Sequence, residues 1–176
     1  MPSSVAATSS PDGDLEPLLA GYRARLATPA DAFGLRAVEL RAIRLAAAPH
    51  YRPIVIRSWT RGVTLETYVK ALDDGARIEA AVDLAGHIVG FCQTNYGMIE
   101  GLFVEPAVNR RGLGSVLLSR AERAATQRGV GRLEVEVPLG AVPFFGHRGY
   151  RMIAQREQPS RGGFLMMLAR MGRDLA

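Results

Sequence analysis

The sequence predicts an α/β sandwich in which a mixed, mostly antiparallel sheet of about six to seven strands is flanked by helices. Three observations lead there. Helix-period segments occupy residues 28–72, three alternating strand-like runs follow one another over residues 77–104, and a strand–glycine–helix unit at residues 98–127 is followed by strand, short helix and two more strands.

The elements follow in order. Tyr22–Ala27 reads as a first strand. Thr28-Pro29-Ala30-Asp31 combines an N-cap threonine, a proline at the first helical position and an acid at the third, so a helix starts here. It carries Leu35, Val38, Ala42, Ile43, Leu45 and Ala46 at helical spacing until Pro49-His50-Tyr51-Arg52-Pro53 breaks it. A short helix is expected over Ile54–Trp59, and Thr64 caps another bearing Tyr68, Val69 and Leu72. Arg77–Asp83 and His87–Tyr96 flank a Leu84-Ala85-Gly86 turn, and Met98–Val104 follows Gly97, giving three antiparallel strands. The Gly112–Gln127 helix places Leu113, Val116, Leu117, Ala121, Ala124 and Ala125 on one face and stops at Arg128-Gly129. Arg132–Val137 is a strand, Val142–His147 a short helix, and Arg151–Glu157 with Gly163–Leu168 a last strand pair.

A chain of 176 residues, 48% hydrophobic and 22% charged, is sized for one globular domain over residues 21–176. Residues 1–20, rich in Ser, Ala, Pro and Gly, read as a flexible tail without the basic and apolar regions of a signal peptide. No apolar run reaches the roughly 20 residues of a membrane span. The net charge of +5 is almost wholly arginine, since Lys70 is the only lysine, and it does not by itself call for a nucleic-acid partner. One cysteine, Cys92, forms no intramolecular disulfide and fits a reducing cytoplasm; it sits in an apolar run as a core thiol. His50, His87 and His147 lack metal-ligand spacing, so no metal is expected.

The functional signal lies in Val104-Glu105-Pro106 followed by Asn109-Arg110-Arg111-Gly112-Leu113-Gly114-Ser115. A strand here runs into a basic glycine loop and a helix N-terminus, an arrangement that turns backbone N–H groups and the helix dipole toward a diphosphate. A Walker loop would need a lysine after its glycine, and a dinucleotide fingerprint a third glycine early in the domain; both are absent.

These residues resemble the GNAT superfamily of N-acetyltransferases, whose hallmark is Val-x-Pro and then Gln/Arg-x-x-Gly-x-Gly/Ala. Asn109 departs at the first position of that motif. Val89-Gly90-Phe91, Ala141-x-x-Phe144-Phe145-x-x-x-Gly149-Tyr150 and His50-Tyr51-x-Pro53-x-x-Ile56-x-x-Trp59 extend the resemblance over about residues 22–172, the last of them to one bacterial subgroup.

The resemblance implies acetyl-CoA as cofactor and direct transfer of its acetyl group, within a ternary complex, to a primary amine of a small molecule or peptide. It implies that the backbone of Phe103 and Val104 pairs with the pantetheine arm. The N–H groups of Arg111, Gly112, Gly114 and Ser115 would hold the pyrophosphate with Arg110 as a supporting cation, and Asn109, Leu113, Phe144 and Phe145 complete the cofactor side. For the base, Glu100 is chosen: it precedes Val104 by four residues, on the same strand face by alternation, where partial burial would raise its pKa. Glu134 and Glu136 are second choices, and Glu134 with His50, Tyr51 and Trp59 is assigned to the acceptor side. Phe145 stands where many relatives carry a tyrosine acid; Tyr150, His147 and Tyr96 are substitutes, or the thiolate leaves without a dedicated acid. Two other readings stay open: an acyl-CoA-binding regulatory module without turnover, and a toxin-like acetyltransferase of aminoacyl-tRNA. A homodimer is a common arrangement in such relatives.

Overall fold

The computed structural model describes residues 15–175. One sheet of eight strands runs through it in the order β1-β2-β3-β4-β5-β6-β8-β7. The strands are β1 (Glu16–Leu19), β2 (Tyr22–Leu26), β3 (Arg77–Asp83), β4 (Ile88–Asn95), β5 (Met98–Val104), β6 (Arg132–Pro138), β7 (Arg151–Pro159) and β8 (Leu165–Asp174). The helices are α1 (Ala32–Ala46), α2 (Pro53–Arg61), α3 (Leu65–Asp73), α4 (Leu113–Gln127) and α5 (Val142–His147). Every pairing is antiparallel except β5 with β6.

The strand count exceeds the expected six to seven because β1 lies inside the segment read as a tail. A Gly21 turn folds Glu16–Leu19 back on β2. The rest of the expected tail, residues 1–14, lies outside the described residues. At the other end β8 runs six residues beyond the expected Leu168, and Gly163 stands in the turn before it. The continuation Ala169–Asp174 is rich in Arg and Gly and carries little strand propensity; it is held because β6 and β7 pair with it on both edges.

Helix α1 starts through a single 3-10 turn, with the expected capping box between Thr28 and Asp31. Leu35, Val38, Ala42 and Ile43 are buried as the periodicity demands, whereas Leu45 is exposed. The sheet separates two cores. On one face α1 and α3 bury Leu35, Ile43, Tyr68, Ile78 and Phe91. On the other, α4 and α5 bury Leu113, Leu117, Leu118, Leu133 and Phe145. Each such large side chain contributes about 1.5–3 kcal/mol by leaving water. Among the described residues no helix is long and apolar enough to cross a membrane.

Candidate active site

The site begins with a break in the sheet. Strands β5 and β6 pair in parallel only at Met98 with Glu134 and Ile99 with Val135. Beyond these residues the strands diverge and open a cleft of about 630 Å³, lined by both strands, by α1, by the start of α4 and by Phe144. Toward the cleft the inner edges of β5 and β6 lack a neighbouring strand, so their main-chain groups are available to a ligand.

A second irregularity marks the head of this opening. Gln93 of β4 pairs with Gly101, but Thr94 pairs with Ile99, so Glu100 is an extra residue in β5. The bulge reverses the strand's alternation. Ile99, Leu102 and Val104 all pack toward the α4 core, while Phe103 packs with Phe91 on the α1 face. The Glu100 carboxylate accepts a hydrogen bond from the Gln93 amide, two residues from Phe91, and therefore lies on the α1 face. Two corrections follow. Glu100 does not share a face with Val104, because the bulge intervenes, and it is exposed instead of partly buried. It does line the cleft.

At the far end lies the glycine loop. Arg110 and Gly112 both take left-handed backbone, at φ 62° and 83°. Asn109 Oδ1 accepts the Arg110 N–H at 2.9 Å and so stabilises the first of these turns. Gly112 is the N-cap of α4, and a Cβ there would meet nothing within 4 Å; glycine is required for its φ alone. At Gly114 a Cβ would sit in ordinary van der Waals contact, 3.6 Å from Val104 and 3.7 Å from the Phe144 ring, so only a side chain larger than a methyl would crowd the space between them. Arg110 and Arg111 are exposed, and neither forms an ion pair among the described residues. The first-turn N–H groups of α4, including those of Leu113, Gly114 and Ser115, have no intrahelical acceptor. The Leu113 side chain is 1% exposed, so only its backbone can serve a ligand. This combination of left-handed turns, unpaired N–H groups and free cations fits a diphosphate.

The remaining expected residues separate into two groups. His50, Trp59, Phe103, Val104, Asn109, Gly114, Phe144 and Phe145 line the cleft, as does Glu136. Phe145 is nevertheless a core residue, 3% exposed and packed edge-on against Phe144 and Tyr150. Tyr51 and Glu134 stand outside the cleft. The Tyr51 hydroxyl donates to the Met167 carbonyl at 2.6 Å and accepts the Leu139 N–H at 3.2 Å, so both of its roles are spent on holding chain segments together. Glu134 is held by Arg170 and Arg132. The substitutes for a tyrosine acid are also elsewhere: Tyr150 donates to Glu122 at 3.1 Å within the α4 core, Tyr96 is 92% exposed in a turn, and His147 is exposed. Among the described residues no tyrosine lines the cleft. Cys92 is fully buried, and burial pushes its thiol well above the ordinary range, which suits a core residue and not a nucleophile.

Sequence reasoning missed a group on the acceptor side. Glu39 of α1 is 2% exposed and lines the cleft. It accepts hydrogen bonds from the Tyr68 hydroxyl and, at 3.0 Å, from Arg161 in the β7–β8 turn. Burial raises its pKa, and the Arg161 charge only partly offsets this. The signal was present in the sequence, because Glu39 stands four residues after Leu35 and four before Ile43, on the buried stripe of α1. The same turn is fastened to α2. Ser58 Oγ and Ser160 Oγ are 2.8 Å apart, the Phe164 N–H donates to Ser58 Oγ at 3.2 Å, and a Cβ on Gly162 would lie 2.3 Å from the Ser58 carbonyl oxygen. Residues 160–164 therefore form a strap across the acceptor end.

A splayed parallel pair, a bulge at its head and a glycine loop at its foot define a domain built to hold a long phosphate-bearing ligand between two strands. The family described as acetyltransferase (GNAT) domain matches residues 47–168, and the chain belongs to it. It is 29% identical over 136 residues to the uncharacterized N-acetyltransferase YafP of Escherichia coli K12, an alignment covering 77% of this chain and 85% of YafP. A GCN5-related N-acetyltransferase from Rhodopseudomonas palustris superposes with a TM-score of 0.79 at 26% identity, covering 86% of this chain and 94% of that one. The fold is shared with the PaiA N-acetyltransferase of Thermoplasma acidophilum in complex with coenzyme A, at TM-score 0.67 and 17% identity over 87% of this chain and 98% of that one. It is shared too with YncA of Salmonella typhimurium with acetyl-CoA, at TM-score 0.61 and 20% identity over 89% and 95%.

Proposed function

We propose that the protein transfers an acetyl group from acetyl-CoA directly to a primary amine, of a small molecule or peptide, within a ternary complex. The observation that carries this reading is the β5–β6 opening, a cleft lined by Glu100 at one end and by Asn109 and Gly114, on either side of the Gly112 turn, at the other. Relatives of the same fold bind coenzyme A and acetyl-CoA, and the loop chemistry suits that ligand. When bound, the cofactor supplies a thioester whose carbonyl carbon accepts the amine nitrogen while the C–S bond breaks and thiolate leaves.

The chain's own residues have separate tasks. The Gly112 loop and the α4 N-terminus hold the diphosphate through N–H groups and the helix dipole. Phe103 and Val104 offer main-chain partners to the amide-bearing arm, as a neighbouring strand would. The unpaired backbone at the bulge supplies a donor for the carbonyl oxygen, and such preorganised donors contribute about 2.7–4 kcal/mol each in acyl transfer. Glu100 takes the ammonium proton onto its carboxylate, directly or through water. Since no tyrosine lines the cleft among the described residues, the reading we adopt has no dedicated acid: the proton that remains on the nitrogen after attack passes to the departing sulfur, directly or through water, as the C–S bond breaks.

Thiol release with acetyl-CoA and a panel of amines tests this. Glu100→Gln is expected to lower kcat by about 10²-fold or more, with the thermal shift on adding coenzyme A unchanged. Retention of wild-type kcat in that variant removes the base role. Absence of turnover with every amine, despite tight coenzyme A binding, would favour a binding module.

A further inference from the structure

The charges of the cleft define its acceptor more narrowly than the family does, and this step rests on the acetyl-transfer reading above. Among the described residues three carboxylates line the cleft: Glu39, Glu100 and Glu136. Two are already matched by arginines, Glu39 by Arg161 and Glu136 by Arg156. Arg161, the only arginine of the lining, is committed to Glu39 in turn. Glu100 is held by a neutral amide alone. One negative charge is thus left without a protein cation, and it belongs to the residue at the bulge. The other side chains on the acceptor side are mainly apolar: Ala42, Ile43 and Ala46 on α1, Trp59 on α2, and Met166 and Leu168 on β8. His50 adds a ring lodged so closely against Gly140 that a Cβ there would lie 2.4 Å away.

Closure is the second part. The strap at residues 160–164 is tied to α2 through Ser58 and to α1 through Glu39, so a tethered turn bounds the acceptor end. A peptide chain in extended form needs an open edge or groove to run along. A second ammonium would lack an unpaired carboxylate to face, and a carboxylate on the acceptor would face Glu100 without a free cation among the described residues of the acceptor side. Both cost desolvation without compensation.

We infer that the acceptor is a compact, singly charged primary amine with an apolar body, an alkyl- or arylalkylamine, whose ammonium pairs with Glu100 and whose body packs on Trp59, Ile43 and Met166. Polyamines and amino acids are rejected by charge, and peptide N-termini by the strap that bounds the acceptor end.

A matched series tests it: hexylamine, diaminohexane, norleucine and a tripeptide with a free N-terminus, with phenethylamine as the aromatic probe. Initial rates are followed by thiol release at about pH 8, where ordinary histidines are neutral. Hexylamine and phenethylamine are expected to exceed the other three in kcat/KM by about tenfold or more. Ala46→Glu, an exposed position on the same wall, adds an unmatched carboxylate and is expected to move the diaminohexane-to-hexylamine ratio upward by about fivefold. Equal or faster turnover of diaminohexane, norleucine or the tripeptide by the unaltered protein overturns the inference and leaves acetyl transfer intact. An Ala46→Glu ratio that stays put or falls overturns the charge argument. No thiol release with any amine overturns both readings.

Discussion

Gly112 and Gly114, two residues apart, face different surroundings, and substitution separates them. Gly112→Ala forces a Cβ onto left-handed backbone at about 1–2 kcal/mol without touching any neighbour. The loop can escape that strain by rotating its N–H groups away from the diphosphate. Weaker coenzyme A binding with a small loss of thermal stability is therefore expected, read by titration calorimetry beside a melting curve. Gly114→Val puts bulk between Val104 and Phe144, and it should abolish binding by filling the space instead. At this scale the sequence was legible where chemistry imposes a motif, as in Asn109–Ser115. It was silent on the bulge, because the extra residue at Glu100 is set by how β4 and β5 are joined and leaves no mark in the alternation of Met98–Val104. It misjudged Tyr51, since an aromatic beside an expected pocket looks the same whether its hydroxyl meets a ligand or the Met167 carbonyl.

Among the elements, the β7–β8 turn and α2 behave as one unit. The His50–Trp59 motif was visible as a helix entry, but its partner, the Ser160-Arg161-Gly162-Gly163 turn, has no periodicity from which docking could be read. The contact is tight enough to test. Gly162→Ala would bring a methyl to 2.3 Å from the Ser58 carbonyl oxygen, which is backbone and cannot rotate away. The strap must lift, at about 1–3 kcal/mol. The melting temperature should drop by about 2–4 °C for each kcal/mol lost, and the KM for the amine should rise while that for acetyl-CoA holds. A rise in both would mean that the strap supports the whole cleft and not its acceptor end.

For the whole molecule, the buried Glu39 makes stability depend on pH. Its pKa is higher folded than unfolded, because burial penalises the carboxylate. Below about pH 4 the group is protonated in both states and has no effect. As pH rises, the unfolded chain loses the proton first, so the native state is progressively disfavoured until Glu39 itself ionises. Stability is thus undiminished in acid and falls as pH climbs from the ordinary glutamate range toward the raised native value. Glu39→Gln keeps a hydrogen-bonding side chain and removes the titration, while Arg161, 39% exposed in its side chain, can turn to solvent. In urea unfolding, the stability of this variant relative to the unaltered chain is expected to rise as pH climbs above the ordinary glutamate range, by about 1.4 kcal/mol for each tenfold difference in proton affinity. A flat difference would show that Arg161 fully compensates the carboxylate. The architecture itself was largely readable, since two apolar faces and seven alternating runs specify a sandwich. The eighth strand was not, because Glu16–Leu19 is too short to alternate convincingly and is fixed by pairing with β2.

The two-pair ladder between β5 and β6 has one more consequence. Two half-sheets, β1 to β5 and β6 to β7, are stitched together at Met98 and Ile99, and beyond that seam each presents a raw edge to the other. A molecule of this kind is an unfinished sheet whose missing strand is its ligand. Loading the cleft would then serve as a final step of folding as well as a step of catalysis, so cofactor supply would set how much of the protein survives as well as how fast it works.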